Sequence, residues 1–417
     1  MSKKYKRRII DKTIDELLKS IGCIVIEGVR NCGKTTTSEH FAKTIHKLKD
    51  HDSRNEILKI DPGSLLKGET PILIDEWHNV PVIWDTVRGE VDVRRKHGQF
   101  ILTGSTAPEH NVNRHSGAGR MANIKMSPMC LCESLDSSNE VDFKQLFEKN
   151  NYKIFGKKQY TPEDYAKFII RGGWPTGLKL NEKNSIKILR SYIKNIAEID
   201  LRNIKSKLSP ERLTTLIRAI SRNISTSASS DIIAQEAKIS KNMIRTYLDR
   251  LTKIYLLDEL EGWSTHVRSS VQLKVKPKWY FCDPSIATAS LGITSSHLLN
   301  DGNAFGLFFE ALALRDIRSL ANSVDGSVFY LADTKNGRGN EIDIIVELWD
   351  ERWAAFEIKI GSDVGIAEAT RNFEWLEKII PEKKRDKLMS KNIIIANGIS
   401  YKRKDGINII SLAHLFA

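Results

Sequence analysis

The sequence predicts a multidomain α/β chain: a parallel-sheet domain at the front, a mostly helical middle and a second α/β domain at the back. Three observations carry this. A glycine-rich loop at Gly28–Thr35 follows a short apolar run and opens a helical one. Residues from about 160 to 290 show helical periodicity, with the pattern of a winged helix-turn-helix over about 211–262. Two strand-like runs starting near residues 341 and 353 carry charges at alternate positions. A chain of 417 residues is too long for one simple core, so the expected domains are 1–135, 160–290 and 300–417. The polar stretch from Leu135 to Tyr160 is expected to be an edge of the first domain or a linker.

In the first domain Cys23–Glu27 (CIVIE) reads as a buried parallel strand, and Lys34–His46 as a helix with Phe41, Ala42 and Ile45 on one side. Between them Gly28-Val29-Arg30-Asn31-Cys32-Gly33-Lys34-Thr35 matches G-x-x-x-x-G-K-[ST] without a gap. A bland glycine turn would account for neither Lys34-Thr35 nor the strand ahead of it. The glycines let backbone N–H groups turn toward phosphates, and the helix N-terminus adds its partial positive charge. Gly28, Arg30, Asn31, Gly33, Lys34, Thr35 and Thr36 are therefore the candidate contacts to ATP. Lys34 would reach the β and γ phosphates and Thr35 would be a magnesium ligand.

Pro71–Glu76 (PILIDE) is a second apolar strand, ending in two carboxylates. Asp75 suits the magnesium shell, and Glu76 suits a catalytic role in orienting and deprotonating water, so the pair favours hydrolysis over mere binding. The next strand, Gln99–Leu102, runs into Thr103-Gly104-Ser105-Thr106. Thr103 and Ser105 are both candidates to sense the γ phosphate, and spacing alone does not choose between them. The glycine-rich turn His115–Arg120, with Arg114 before it, offers Arg120 to stabilise transition-state charge in its own subunit or in a neighbour within a homo-oligomer. A solvated loop residue is the plainer reading of Arg120.

In the middle region Arg171-Gly172-Gly173-Trp174-Pro175 interrupts the helices with a tight turn at an expected domain junction. Further on, Asp231–Glu236 reads as a first short helix, Ala237–Ser240 as a turn, and Lys241–Leu251 as a second helix. Ile254–Leu257 would follow as a wing strand. The second helix would bury Ile244, Leu248 and Leu251 and project Lys241, Asn242, Arg245 and Arg250 toward phosphates in a DNA groove. A winged helix serving only as a spacer fits the same pattern.

The last domain opens with a helix from Phe305 through Ile317, then strands at Val328–Ala332, Glu341–Leu348 and Trp353–Ile360. If Asp350-Glu351 closes a hairpin, paired residue numbers sum to about 701 and Asp343 lies opposite Ile358, flanked by Glu357 and Lys359. Two carboxylates and an ammonium converging there suit metal-assisted phosphodiester hydrolysis. Asp343 and Glu357 would bind magnesium, Glu310 on the preceding helix would complete the shell, and Lys359 would be the catalytic ammonium. An amphipathic hairpin with a charged outer face is the alternative.

Composition narrows the setting. The formal charge of +13 favours an anionic partner beyond ATP, and nucleic acid, DNA in particular, is the expected one. The basic start MSKKYKRRII lacks a following signal-type core, and no apolar run approaches membrane-spanning length, so a cytoplasmic protein with no membrane partner is expected. The five cysteines at 23, 32, 130, 132 and 282 show no secreted-scaffold pairing, and Cys130 and Cys132 lack zinc-site partners.

GVRNCGKTT, ILIDEW, FILTGST, SGAGRMANIKMSPMCLCES, RGGWP, YFCDPSIA, FGLFFE, EID and EIK together resemble prokaryotic ATPases with an N-terminal AAA-type domain and a C-terminal domain of unknown function 4143. That resemblance spans nearly the whole chain. It implies a P-loop core, a middle winged helix and a restriction-endonuclease-like last domain. It places nucleotide and magnesium on Lys34, Thr35, Asp75 and Glu76, and nuclease-like positions at Glu310, Asp343, Glu357 and Lys359. Cys130 and Cys132 stand where Ser and Tyr are expected in relatives. Two function classes follow: an ATP-dependent enzyme acting on DNA, or an ATP-driven regulatory or scaffolding switch whose last domain binds nucleic acid or protein without cutting.

Overall fold

The computed structural model describes residues 5–48, 54–106, 117–149, 153–200, 209–264, 277–333 and 339–417, the side chains of 54, 199 and 200 excepted. Arg114, and His115 and Ser116 of the expected glycine-rich turn, lie outside the described residues. The chain divides into two compact units, Met1–Pro128 with Leu251–Leu256, and Met129–Arg250 with Leu257–Ala417.

The first unit begins with helix α1 (Ile10–Leu18) and strand β1 (Cys23–Glu27), followed by α2 (Lys34–Phe41), β2 (Thr44–Lys47), α3 (Arg54–Ile60), β3 (Ile72–Asp75), α4 (Ile83–Arg94), β4 (Phe100–Gly104) and β5 (Met121–Lys125). The strands form one parallel sheet in the order β2-β3-β4-β1-β5. Continuous apolar runs such as CIVI, ILI and FIL suit strands covered on both faces, and they are buried throughout. Trp77, Trp84, Ile83 and Val87 pack with Val25, Ile72, Ile74 and Leu102 into one core cluster.

The helix expected over Lys34–His46 stops at Phe41. Ala42 is extended, and Thr44-Ile45-His46-Lys47 joins the sheet edge beside β3. Pairing with β3 satisfies this backbone, and β-branched Thr44 and Ile45 suit a strand, so tertiary pairing overrides the helical spacing of Phe41, Ala42 and Ile45.

After the first unit's sheet the chain makes α5 (Leu131–Ser134), β6 (Val141–Asp142), β7 (Phe155–Tyr160), α6 (Pro162–Arg171), α7 (Glu182–Asn195), α8 (Pro210–Arg222), α9 (Ser230–Glu236) and α10 (Lys241–Lys253). Strands β8 (Leu257–Leu260) and β9 (Lys278–Phe281) pair antiparallel. Helices α11 (Pro284–Leu291), α12 (Ser295–Asn300) and α13 (Gly302–Ala321) come next. The remainder is β10 (Gly326–Ala332), β11 (Glu341–Leu348), β12 (Trp353–Lys359), α14 (Asp363–Ile379), α15 (Glu382–Arg385), β13 (Leu388–Ile395), β14 (Gly398–Lys402), β15 (Asn408–Ser411) and β16 (Leu415–Phe416).

A seven-stranded mixed sheet runs β10-β11-β12-β13-β15-β14-β7, with β12, β13 and β15 parallel. The segment from Leu135 to Tyr160, expected as an edge of the first domain or a linker, instead belongs to the second unit: β7 forms a sheet edge against β14, and β6 pairs with β16. Lysines at 157 and 158 hid the strand pattern of FGKKQY, and exposed lysines are what an unpaired sheet edge favours. Helices α9 and α10 lie where the helix-turn-helix pattern put them. Tyr255 adopts a left-handed turn, however, so the strand after them starts at Leu257 rather than Ile254.

Two short motifs meet in a buried ionic knot. Arg315 of α13 pairs with Asp316 (2.7 Å) and Asp283 (2.8 Å). Asp283 also accepts the N–H of Gly173 and Asp316 that of Leu131, both at 2.9 Å. A Cβ at Gly173 would fall 1.9 Å from the Met129 carbonyl, so only glycine fits. No helix among the described residues is long and apolar enough to cross a membrane.

The core under β11, β12 and β13 is built on Trp353, Ile345, Ile393 and Phe373 of α14. Phe373→Ala is expected to lower unfolding stability of the second unit by about 3–5 kcal/mol, read from urea denaturation. A loss under about 1 kcal/mol would place Phe373 outside that core.

Candidate functional site

The phosphate loop leaves β1 between β4 and β5. At Gly28 a Cβ would lie 2.1 Å from the Met126 carbonyl, so a side chain would push the loop off the end of β5. Asn31 takes a left-handed conformation, which asparagine tolerates, and the chain enters α2 at Lys34. Lys34 is buried, and its ammonium bridges the carbonyls of Gly28 (2.8 Å) and Val29 (3.0 Å), bracing the loop from inside. Thr36 is exposed in the first turn of α2.

A residue missed in the sequence braces the loop from behind. Arg8 is buried and donates to the carbonyls of Cys32 (2.9 Å) and Ser127 (2.8 Å). Tyr5 donates to Asp11 (2.7 Å), its oxygen lies 3.3 Å from the Thr37 hydroxyl, and its ring stacks on His40 of α2, ring centroids 4.2 Å apart. A run of lysines and arginines at a chain start reads as a solvated face. The one signal against that was its abutment on the apolar pair Ile9-Ile10.

Both carboxylates stand at the end of β3, beside the hydroxyls at the end of neighbouring β4. Asp75 accepts from the Thr35 hydroxyl (2.9 and 3.1 Å to its two oxygens) and from the Thr103 hydroxyl. Glu76 has a left-handed backbone, and its N–H donates to Thr103 Oγ1 (3.1 Å). Its Oε2 accepts from the Ser105 hydroxyl (3.2 Å) and N–H (3.3 Å) and lies 3.4 Å from His78 Nδ1. Arg30 of the loop donates to Ser105 Oγ (3.3 Å). The pairing of β3 with β4 therefore separates the two hydroxyls that spacing left open: Thr103 serves Asp75, and Ser105 links Glu76 to the loop. Thr35 and Asp75 are hard oxygen donors in mutual contact, which fits magnesium beside a triphosphate.

Arg120 is not brought to this loop. It sits just before β5, level with the start of β1, so the phosphate end of the sheet is about five residues or roughly 16 Å away. Its side chain pairs with Asp92 at 2.6 Å, half exposed. The strand register places Arg120 at the opposite end of β5 from its own chain's phosphate loop.

In the C-terminal sheet the hairpin register corrects the expected one. Ile344 faces Phe356 and Glu347 faces Trp353, so paired numbers sum to 700, not 701. The loop has three residues, Trp349 to Glu351, with Glu351 left-handed and Leu348 N–H bonded to Arg352 O (2.8 Å). Trp349, just past the expected strand, is 82% exposed in the loop. Asp343 consequently falls opposite Glu357 rather than Ile358, which places Asp343, Glu357 and Lys359 on one face. Asp343 Oδ2 accepts the Ile358 N–H (2.7 Å). Glu357 Oε2 accepts from Asn372 (3.1 Å) and lies 3.2 Å from Lys359 Nζ, while its Oε1 is buried without a hydrogen-bond partner.

Glu310, on α13, accepts from the Tyr280 hydroxyl (2.6 Å) and lies 3.9 Å from Lys278 Nζ. Lys278 also pairs with Glu341 and lies over the Tyr330 ring, 5.2 Å from its centroid. Lys278, Tyr280 and Glu341 were missed. Their signal was two period-two pairs, Lys278/Tyr280 on β9 and Glu341/Asp343 on β11. Among the described residues no three His, Cys, Asp or Glu side chains stand together so as to hold one metal ion. Glu310, Asp343 and Glu357 thus do not form the expected magnesium shell, and the donor set does not fit that ion: an ammonium is bonded into it.

Burial pushes the Glu310 carboxyl up to about 8, against the pull of Lys278 and with Asp343 adding to the rise. Burial and then Asp343 push Glu357 well up, opposed by Lys359 and Asn372. Burial opposes the charge on Lys278, but Glu310, Glu341 and Asp343 outweigh it and hold the ammonium above the ordinary lysine range. Folded Glu310 keeps its proton to about pH 8, whereas the unfolded chain releases it near the ordinary carboxyl value of 4.5. Its contribution to stability is therefore complete below the unfolded value and is lost as pH rises through the folded one. Wild type is expected to lose more stability than Glu310→Gln between about pH 5 and pH 8, followed by urea denaturation. Parallel profiles would show that Glu310 titrates as an ordinary carboxyl.

Comparison with known proteins bears on two segments. Residues 162–297 match a domain of unknown function, DUF8612, and residues 21–135 match an AAA domain. The matching domain of unknown function is thus in the middle of the chain, in place of the domain of unknown function 4143 expected at its end. No curated protein matches the chain. Among solved structures, the Walker-type ATPase PABY2304 of Pyrococcus abyssi is similar at 12% identity and TM-score 0.40, over 67% of this chain and 94% of that one. A signal transduction ATPase with numerous domains and a tetratricopeptide repeat sensor, PH0952 from Pyrococcus horikoshii, shares 12% identity at TM-score 0.22, over 75% of this chain and 49% of its own. The AAA match spans the same segment in which loop, strand ends and carboxylates converge, and residues 21–135 are an AAA-type P-loop domain that binds ATP.

Proposed function

We propose that the chain hydrolyses ATP with magnesium and uses the cycle as a switch, its C-terminal sheet binding DNA or protein without cutting. The observation that carries the first half is the junction of Thr35, Asp75, Thr103, Ser105 and Glu76 at adjoining strand ends beside the phosphate loop. Loop N–H groups hold the β and γ phosphates together with Lys34, whose ammonium leaves the Gly28 and Val29 carbonyls to reach them. Thr35 and Asp75 would hold magnesium, which would supply charge neutralisation for the phosphates. Glu76 positions water and accepts its proton as the oxygen bonds to the γ phosphorus and the bond from that phosphorus to the β–γ bridging oxygen breaks, the bridging oxygen leaving on ADP; for this Glu76 gives up its hydrogen bond to Ser105. Ser105, freed and still near Arg30, is then placed to answer the γ phosphate.

The net charge of +13, with exposed Lys241, Asn242 and Arg245 on α10 after a short turn from α9, favours DNA as the partner through a winged helix. Metal-dependent cutting is the second reading, favoured by the shared face of Asp343, Glu357 and Lys359. The ammonium of Lys278 among the carboxylates weighs against it.

Nucleotide binding and turnover by wild type, Lys34→Ala and Glu76→Gln test the proposal. Glu76→Gln is expected to bind ATP while slowing hydrolysis about a hundredfold or more, and Lys34→Ala to lose both. Unchanged turnover in Glu76→Gln would remove its assigned role. In parallel, plasmid and single-stranded DNA with magnesium or manganese are expected to stay intact. Cutting that Lys359→Ala abolishes would establish the second reading instead.

A further inference from the structure

We propose that Cys130 and Cys132 are a site of thiol oxidation, where a peroxide joins the two sulfurs in a reversible disulfide across the turn that opens α5. The site goes beyond the ATPase and partner-binding readings and depends on neither.

The two sulfurs are in contact, 3.4 Å apart. Residues two apart within a helix point to different sides and do not meet. Cys130, however, stands at the N-cap of α5 with an extended backbone (φ −74°, ψ 173°), and its side chain lies back over the first turn, on the side of Cys132. A disulfide of about 2.05 Å requires the sulfurs to close by roughly 1.4 Å, a shift of the size that rotation about the Cα–Cβ bonds supplies.

The two thiols differ in access. Of the five cysteines Cys132 alone is partly exposed, while Cys23, Cys32, Cys130 and Cys282 are buried. Burial first, then the hydrogen bond with Cys132 and the neighbouring Glu133 carboxylate, push the Cys130 thiol well above its ordinary range. Cys132 is therefore the sulfur that an oxidant meets, and Cys130 the one that resolves the product. The Cys132 thiolate attacks hydrogen peroxide, the O–O bond breaks, and a sulfenic acid forms as hydroxide leaves and takes up the proton that Cys132 gave. Cys130 Sγ then bonds to Cys132 Sγ, the S–O bond breaks, and the hydroxyl departs with the Cys130 proton as water. Two thiols and one peroxide become one disulfide and two waters. A thiol reductant reverses the bridge, as befits a reducing compartment. Leu131, between the two cysteines, donates its N–H to Asp316 (2.9 Å), so the bridge closes on the residue that ties this turn to α13.

The test is peroxide treatment of the folded full chain, then quenching, denaturation in N-ethylmaleimide and tryptic mass mapping. Residues 126–144 form one tryptic peptide that holds both cysteines. Untreated, that peptide is expected to take up two N-ethylmaleimide groups. After peroxide it should take up none, be lighter by two hydrogen atoms than the unlabelled dithiol form, aside from any oxygen gained at its methionines, and regain both labels once reduced with dithiothreitol. Cys23, Cys32 and Cys282 should stay open to labelling throughout. In Cys130→Ser the oxidation should stop at a Cys132 sulfenic acid that dimedone traps, and Cys132→Ser should leave Cys130 free to label. A wild-type peptide that still takes up two labels overturns the proposal, as does a bridge from Cys132 to any other cysteine, or Cys132 oxidised to a sulfinic acid beside a free Cys130. The wild-type measurement decides the matter even if neither variant folds.

Discussion

The nucleotide domain depends on one constraint, the parallel pairing of β1 between β4 and β5 with β3 one strand further along. Parallel strands end at a common edge, so residues remote in sequence arrive at one place without any element having to bend. The loop after β1, the acids after β3 and the hydroxyls after β4 are gathered by that pairing alone. The same geometry removes Arg120, because a residue preceding a parallel strand is carried to the opposite edge.

The second unit solves a different problem, the burial of charge. Arg315 with Asp283 and Asp316 are withdrawn almost wholly from water, and so is the ammonium of Lys278, while its partners Glu310 and Glu341 keep some contact with solvent. Such groups are tolerated where each partner has several bonds, and removing one leaves the others stranded. In the Arg315 knot the spare acceptors are filled by main-chain N–H groups of Leu131 and Gly173, which ties distant segments to one helix. The motifs RGGWP and FCDP are explained by that tie without any catalytic role. The Lys278 cluster resembles the knot in composition but leaves one acid oxygen of the neighbouring Glu357 without a bond.

Legibility in the sequence followed locality. The phosphate loop and the Asp75-Glu76 pair are contiguous, and their residue types state their chemistry, so both were readable. Thr103 and Ser105 could not be told apart because the answer lies in lateral pairing with β3. Lys278 was invisible because its partners stand 32 and 63 positions later in the chain. Arg8 was masked by the surrounding basic run, and β7 by lysines that protect a sheet edge. The helix drawn through His46 failed because a strand partner outbid helical spacing. Each miss is a case where a contact distant in sequence decides between local alternatives.

The three-residue loop from Trp349 to Glu351 carries a consequence for how this chain can diverge. Strand side chains alternate, so the count of residues in that loop acts as a parity setting for everything upstream on β11. One residue gained or lost there, with the pairing of β12 kept, would turn Asp343 and Glu341 to the far side of the sheet and bring Ile342 and Ile344 to the acidic one. Substitutions in the loop leave parity untouched. Drift in its composition is therefore open to the lineage while drift in its length is closed, although the loop itself touches none of the charged groups whose facing it determines.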